Sequence, residues 1–207
     1  MKPQFISIEG LEGAGKSTQR EVLATWVRQH ADQPPLVTRE PGGTQMAEQI
    51  RDLLLAHHQE PVDSWTELLL MFASRRQHVS AKIQPALDAG QWVISDRFTD
   101  ASYAYQGGGR QIDWQSIVDL EQMVLKGMKP NLTLWLDCPA DIGLARARQR
   151  GELDRIETEN FAFFERCRAA YARRLSDDPK RMVRLDASGS IASVSAALVK
   201  TLEERYL

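Results

Sequence analysis

The chain has 207 residues, an apolar fraction of 43% and a formal net charge of −2, enough for one substantial core and too little positive charge to point to nucleic acid or a membrane surface. No apolar stretch approaches the ~18 residues of a membrane span, and no charged-apolar-small leader opens the chain, so a soluble cytoplasmic protein is expected. The two cysteines, Cys138 and Cys167, lack metal-site spacing and read as reduced thiols.

Five short apolar runs, at 5–8, 36–38, 92–95, 132–136 and 182–185, read as buried parallel strands. Helical patterns separate them at 16–29, 44–57, 64–89, 114–126, 141–149, 160–175 and 191–205. This alternation predicts an α/β three-layer sandwich, with a parallel five-stranded sheet flanked by helices. Pro34-Pro35 and Gly107-Gly108-Gly109 read as loops, not boundaries, so residues 1–207 are expected to form one domain. Ligands of such sheets bind at the carboxyl ends of the strands.

After the first strand, Gly10-Leu11-Glu12-Gly13-Ala14-Gly15-Lys16-Ser17 fits the phosphate-loop pattern G-x-x-x-x-G-K-[ST], and Thr18 follows. Its glycines let backbone N–H groups approach phosphate oxygens, and the following helix points its positive end there. Lys16 is expected to reach the outer phosphates, and the Ser17 hydroxyl to ligate Mg²⁺. Glu12 is an acid inside that loop. It faces either a second ligand's hydroxyl or an arginine, or it is a solvated loop side chain.

After the second strand comes Thr38-Arg39-Glu40-Pro41-Gly42-Gly43-Thr44, a turn closed by a candidate helix cap at Thr44. Its position tilts Glu40 toward a ligand role, while Arg51 is either a phosphate contact or a surface arginine. Further on, Phe72 and the pair Arg75-Arg76 suit a flat base with a phosphate at its far end, but on their own they also suit core and surface. After the third strand, Asp96 can hold Mg²⁺ through water and Arg97 can bind a phosphoryl group. The stretch Tyr105-Gln106-Gly107-Gly108-Gly109-Arg110 offers an amide that matches a pyrimidine edge, on a segment that is flexible or tightly turned. After the fourth strand, Arg146, Arg148, Arg150 and Arg155 suit an Arg-rich lid over about 145–157 that closes on ATP and excludes water.

Assembled, these segments resemble the thymidylate kinase family of the bacterial kind, from residue 5 to about 174. The phosphate loop is common to many NTPases. Thr38-Arg39-Glu40-Pro41-Gly42-Gly43-Thr44 and Ala104-Tyr105-Gln106-Gly107-Gly108-Gly109-Arg110, in that order, are far more specific. The resemblance implies a P-loop NTPase fold that phosphorylates dTMP to dTDP with ATP and Mg²⁺, the metal at Ser17 and Asp96. It places Glu12 by the sugar 3′-hydroxyl, and Glu40, Arg51, Arg75, Arg97 and Ser102 around dTMP. It also implies that Phe72 stacks on thymine, Gln106 reads its edge and Tyr105 walls off the 2′ position. Arg150 and Arg155 act as lid arginines, because Gly13 leaves the loop without one. Homodimers are implied too, with the long helix at 64–89 as a candidate interface.

Two positions depart from the family's pattern. The family often has Phe four residues before the key arginine, which here is Met71 relative to Arg75 and Phe72 relative to Arg76. It often has serine at 101, where this chain has Ala101 followed by Ser102. Rival readings are another nucleoside-monophosphate kinase on the same fold, or a nucleotide-dependent switch. The guanine-reading N-K-x-D of a switch does not occur.

Overall fold

A computed structural model of the chain describes residues 2–149 and 154–207. The strands are β1 (Phe5–Glu9), β2 (Leu36–Arg39), β3 (Val93–Asp96), β4 (Leu132–Asp137) and β5 (Met182–Asp186). They form one parallel sheet in the order β2-β3-β1-β4-β5. The chain leaves β1 at the centre and later places strands on either side of it. That order opens a crevice at the carboxyl end of β1.

Around the sheet lie α1 (Lys16–His30), α2 (Gln45–Leu55), α3 (Ser64–His78), α4 (Gln84–Asp88), α5 (Thr99–Ser102), α6 (Trp114–Leu125), α7 (Ala140–Arg148), α8 (Phe161–Asp177) and α9 (Ile191–Tyr206). The caps follow local chemistry. The Thr44 hydroxyl accepts from Ala47 N, Asp63 from Trp65 N and Thr66 N, and the Asn160 side chain from Phe163 N.

Alternation along β1 divides the core. Ile6 and Ile8 pack with Leu23, Val27, Leu198 and Leu202 of α1 and α9. Full burial of such side chains stabilises the fold by roughly 1.5–3 kcal/mol each. The opposite face carries Phe5, Ser7 and Glu9, all buried. Phe5 joins Val79, Ile83 and Phe98, while the Ser7 hydroxyl meets Thr133 Oγ1 at 2.8 Å. This second face is therefore partly polar, and it lies beneath the site.

Two segments differ from expectation. The helix over 64–89 is not uniform: α3 passes into a π-helical turn at Val79–Ile83 before α4. Pro85 stands at the start of α4 and has no N–H to continue the preceding ladder. Residues 99–109 are helical rather than a loop, with α5 continuing into a π-helical turn at Tyr103–Gly109. The glycines there serve close packing: a Cβ on Gly108 would meet Arg166 O at 2.6 Å, and one on Gly109 would collide with the Phe163 ring.

Candidate active site

A cavity of about 580 Å³ opens at the carboxyl ends of β1, β2 and β3, a size suited to nucleotides. Its walls come from the phosphate loop, the turn after β2, the middle of α3, α5 with its π-helical continuation, and Asp154, Ile156 and Glu157.

The phosphate loop spans β1 and α1, with Gly15 in a left-handed conformation just before Lys16. It is pressed against α7. A Cβ on Gly13 would overlap Gly143 O, and a Cβ on Gly143 would lie 2.5 Å from Glu12 O. Lys16 folds back over the loop, its Nζ donating to Gly10 O at 3.0 Å and Leu11 O at 2.9 Å. Burial, aided by the Arg97 charge, pushes the Lys16 ammonium down to about 8, against the pull of Asp96, Glu12 and Glu9. A polyphosphate placed beside Nζ would push that value back up and favour the charged form. Ser17 and Thr18 line the same cavity.

Beside the loop stands a corner built at the end of β3. Parallel pairing sets Asp96 against Ile8 of β1, and Arg97 N donates to Ile8 O at 2.9 Å. Arg97 has φ 73, a strained conformation for a non-glycine residue. This turn sends its guanidinium back over the loop. Nη1 donates to Gly10 O at 3.0 Å, and Nη2 donates to Glu12 Oε1 at 2.7 Å and to Tyr105 Oη at 3.0 Å. Tyr105 Oη in turn donates to Glu12 Oε2 at 2.7 Å. The acid in the loop thus faces an arginine and a tyrosine. Burial works to raise Glu12, but the Arg97 and Lys16 charges outweigh it and hold the carboxyl below its ordinary value. Ionised Glu12 and the permanently charged Arg97 form a fixed pair beside the phosphate loop.

The far end of the cavity is lined by Met71, Arg75, Ala101, Ser102, Tyr105 and Gln106. Arg75 is buried. Its Nε donates to Glu40 Oε2 at 2.7 Å, Nη1 to Ser102 Oγ at 3.0 Å and Nη2 to Phe98 O at 3.1 Å. The other oxygen of Glu40 meets His78 Nδ1 at 3.0 Å, and His78 Nε2 meets Thr38 Oγ1 at 2.7 Å. Glu40 lines the cavity, but its carboxylate is committed to Arg75 and His78. Arg51 also lines the cavity and donates to Pro41 O at 3.0 Å.

Phe72, expected to stack on a base, does not line the cavity. Phe72 is 2% exposed and packs among Leu68, Tyr103, Ile112 and Ile117, under the Arg75 guanidinium at 4.8 Å. Met71, one residue earlier and so turned about 100° around α3, lines the cavity. Arg155 is likewise displaced from its expected role. Its Nε donates to Leu54 O at 3.0 Å and its Nη2 to Glu67 Oε2 at 2.8 Å, so its head group is committed away from the phosphate loop. Arg150 lies outside the described residues. Arg146 does line the cavity, with Nη1 donating to Ala187 O at 3.0 Å.

Two hard-oxygen donors, the Ser17 hydroxyl and the Asp96 carboxylate, border the cavity on the phosphate side. That pair suits Mg²⁺, which takes few protein ligands and completes its shell with water and substrate phosphates. Among the described residues no cluster of three or more His, Cys, Asp or Glu offers an all-protein metal site.

Sequence reasoning missed three residues beneath the cavity. Glu9 accepts from Phe98 N at 2.7 Å and from Tyr171 Oη at 2.9 Å. Glu67 accepts from Gln106, Arg110 and Arg155. Gly143 permits the close approach of α7 to the loop. Each had a faint signal: an acid closing an apolar strand, an acid in an apolar helical run, and a glycine inside a helical pattern.

Comparison with known proteins agrees with this geometry. The family model for thymidylate kinase matches residues 8–198. A thymidylate kinase of Hahella chejuensis is 48% identical over 201 residues, covering 97% of this chain and 96% of that one. One from Pseudomonas syringae pv. tomato is 52% identical over 200 residues, covering 97% and 95%. The crystal structure of thymidylate kinase from Ehrlichia chaffeensis superposes with a TM-score of 0.79 at 29% identity, covering 98% of this chain and all of that one. The chain belongs to the thymidylate kinase family.

Proposed function

We propose that this cavity binds ATP along the phosphate loop and dTMP in the recess beyond Arg97, and transfers the terminal phosphoryl group: ATP + dTMP → ADP + dTDP. The observation that carries the reading is the Arg97–Glu12–Tyr105 corner, which stands between the phosphate loop and the Met71–Gln106 recess. The acceptor is a phosphate monoester, already anionic near neutral pH, so it needs little deprotonation. The work of the site is to bring two anions end to end and to stabilise charge spread over the transferring group. Lys16 and the loop amides of residues 10–18 hold the donor phosphates. Arg97 bridges to the acceptor phosphate, with Arg51 beside it.

Ser17 and Asp96 would hold Mg²⁺, which would supply charge neutralisation on the donor phosphates. Met71 lies against the base, Arg75 and Ser102 meet its edge, and Gln106 reads it. Tyr105 and Glu12 close around the sugar. Residues 1–207 act as one kinase unit with a lid over about 145–157. Arg150 serves as its arginine, while Arg155 anchors its flank to Glu67 and Leu54.

The enzyme is proposed to work as a cytoplasmic homodimer. Exposed Met46 and Leu53 on α2, Trp65 and Leu69 on α3, and Met123 on α6 supply an apolar surface for a second copy. Both cysteines are free and buried, which suits a reducing compartment. No helix among the described residues is long and apolar enough to cross a membrane. The deciding experiment is ADP release with and without dTMP at fixed ATP. Release that rises steeply with dTMP, with dTDP formed in equal amount, is the expected result. ATP consumption indifferent to dTMP would end the proposal.

A further inference from the structure

We propose that Glu67 sets the base preference of the site by fixing which end of the Gln106 amide faces the base. This rests on the reading of the Met71–Gln106 recess as the base site. Gln106 is 1% exposed and lines that recess. Its Nε2 donates to Glu67 Oε1 at 2.9 Å, whereas its Oε1 is buried without a hydrogen-bond partner. A buried acceptor in that condition calls for a donor from outside the protein. In a thymine or uracil ring, N3–H is such a donor. In cytosine, N3 is a lone pair, and it would face the Gln106 carbonyl as acceptor against acceptor.

An isolated glutamine does not make this choice, because rotating its amide by half a turn exchanges oxygen and nitrogen. Glu67 makes it. Its carboxylate is 1% exposed and has donors on several sides. Besides Gln106, it accepts from Arg110 Nη2 at 3.1 Å and Arg110 Nε at 3.2 Å, and from Arg155 Nη2 at 2.8 Å. Burial acts to raise its pKa, but the hydrogen bonds from Arg110 and Gln106 outweigh that and keep it ionised. An ionised carboxylate only accepts. The flipped Gln106 would press its oxygen against that carboxylate, so the amine is held on Glu67 and the carbonyl on the base. Glu67 is thus a positioning residue that acts through Gln106, and Arg155 ties the flank of the lid to the same anchor.

The test is Glu67→Gln, which keeps the shape but adds a donor, so Gln106 is free to turn its amine toward the base. The ratio of kcat/KM for dTMP to that for dCMP should fall at least about ten-fold, with KM for ATP unchanged. Glu67→Asp keeps the acceptor-only charge and should keep the ratio. A purely structural role would lower both substrates together in Glu67→Gln and leave the ratio intact, which would overturn the proposal. Loss of the ratio in both variants would do so too. Should Glu67→Gln not fold, the wild-type enzyme still decides through its Gln106 side-chain NH₂ resonances. They should hold their positions when dTMP binds, and a downfield move reporting a new bond to the base would refute the assignment. If wild-type enzyme phosphorylates no dTMP, the reading of the recess has failed instead.

Discussion

Glu9 offers a test of the buried polar layer that needs no substrate. It closes β1 on the face opposite α1, with no exposure, and accepts from Phe98 N and Tyr171 Oη. Burial, reinforced by the negative charge of Asp100, pushes its carboxyl from 4.5 up to about 8, although Arg97 and the two hydrogen bonds pull the other way. The folded protein therefore retains a proton on Glu9 that the unfolded chain releases near its ordinary value. Between those two values the native state binds more protons than the unfolded state, so this group's contribution to stability falls as pH rises. The slope is at most about 1.4 kcal/mol per pH unit, and the whole window is worth on the order of a few kcal/mol. Glu9→Gln keeps an acceptor for Phe98 N and a polar group for Tyr171 but does not titrate. Urea unfolding of both proteins from about pH 6 to about pH 8 isolates the term, because other titrating groups cancel in the difference. The variant should gain on the wild type by roughly 1 kcal/mol for each pH unit across that range. Parallel stability profiles would show that Glu9 is ionised in the fold and that the reasoning is wrong.

Gly143→Ala places a methyl 2.5 Å from the Glu12 carbonyl; displacing the loop should lower kcat roughly 100-fold while circular dichroism shows the helices intact, and wild-type turnover would contradict the close-packing argument. Met71→Ala should raise KM for dTMP by roughly ten-fold and leave KM for ATP alone, which steady-state kinetics on each substrate resolves. Leu69→Glu, placing a charge on the exposed face of α3, should shift the protein toward monomer in sedimentation velocity with its far-ultraviolet spectrum unchanged.

The parts of the site legible in the sequence are those whose requirements are local. The phosphate loop needs glycines, a lysine and a hydroxyl at fixed spacing, and the turn after β2 carries its own cap at Thr44. Asp96 and Arg97, which line the cavity, stand out in the sequence because a strand end in a parallel sheet is already a candidate site position. What escaped notice depends on distant partners. Glu9 is satisfied by Phe98 and Tyr171, and Glu67 by Gln106, Arg110 and Arg155. No pattern within a window of ten residues contains those pairs. The glycines at 107–109 were misread for a related reason. They look like a flexible loop until α8 is seen lying on Gly108 and Gly109. Phe72 and Met71 could not be separated by spacing alone, because a difference of one residue in helical phase decides which side chain reaches the cavity and which the core.

Three glutamates in or beneath a cleft proposed to bind anions call for a physical account, since each repels an anion. Glu12, Glu40 and Glu67 each sit on a guanidinium, of Arg97, Arg75 and Arg110 respectively. Lone arginines here would rotate freely and repel one another, as the effect of Arg97 on Lys16 illustrates. Pairing each with a carboxylate fixes its plane and leaves its remaining N–H groups aimed by the geometry of the fork. The desolvation of such pairs weakens the fold relative to an apolar layer, but it removes reorganisation from the moment of phosphoryl transfer, when stationary dipoles and charges are most effective. Asp100 extends the same logic one layer down. It gathers Arg174 at 2.9 Å and Arg181 at 2.6 Å beneath α5, the short helix that follows the Asp96-Arg97 corner. The acids therefore act indirectly: Glu12 and Glu40 hold still two arginines that line the cavity, Arg97 and Arg75, while Glu67 and Asp100 fix arginines in the layer beneath it.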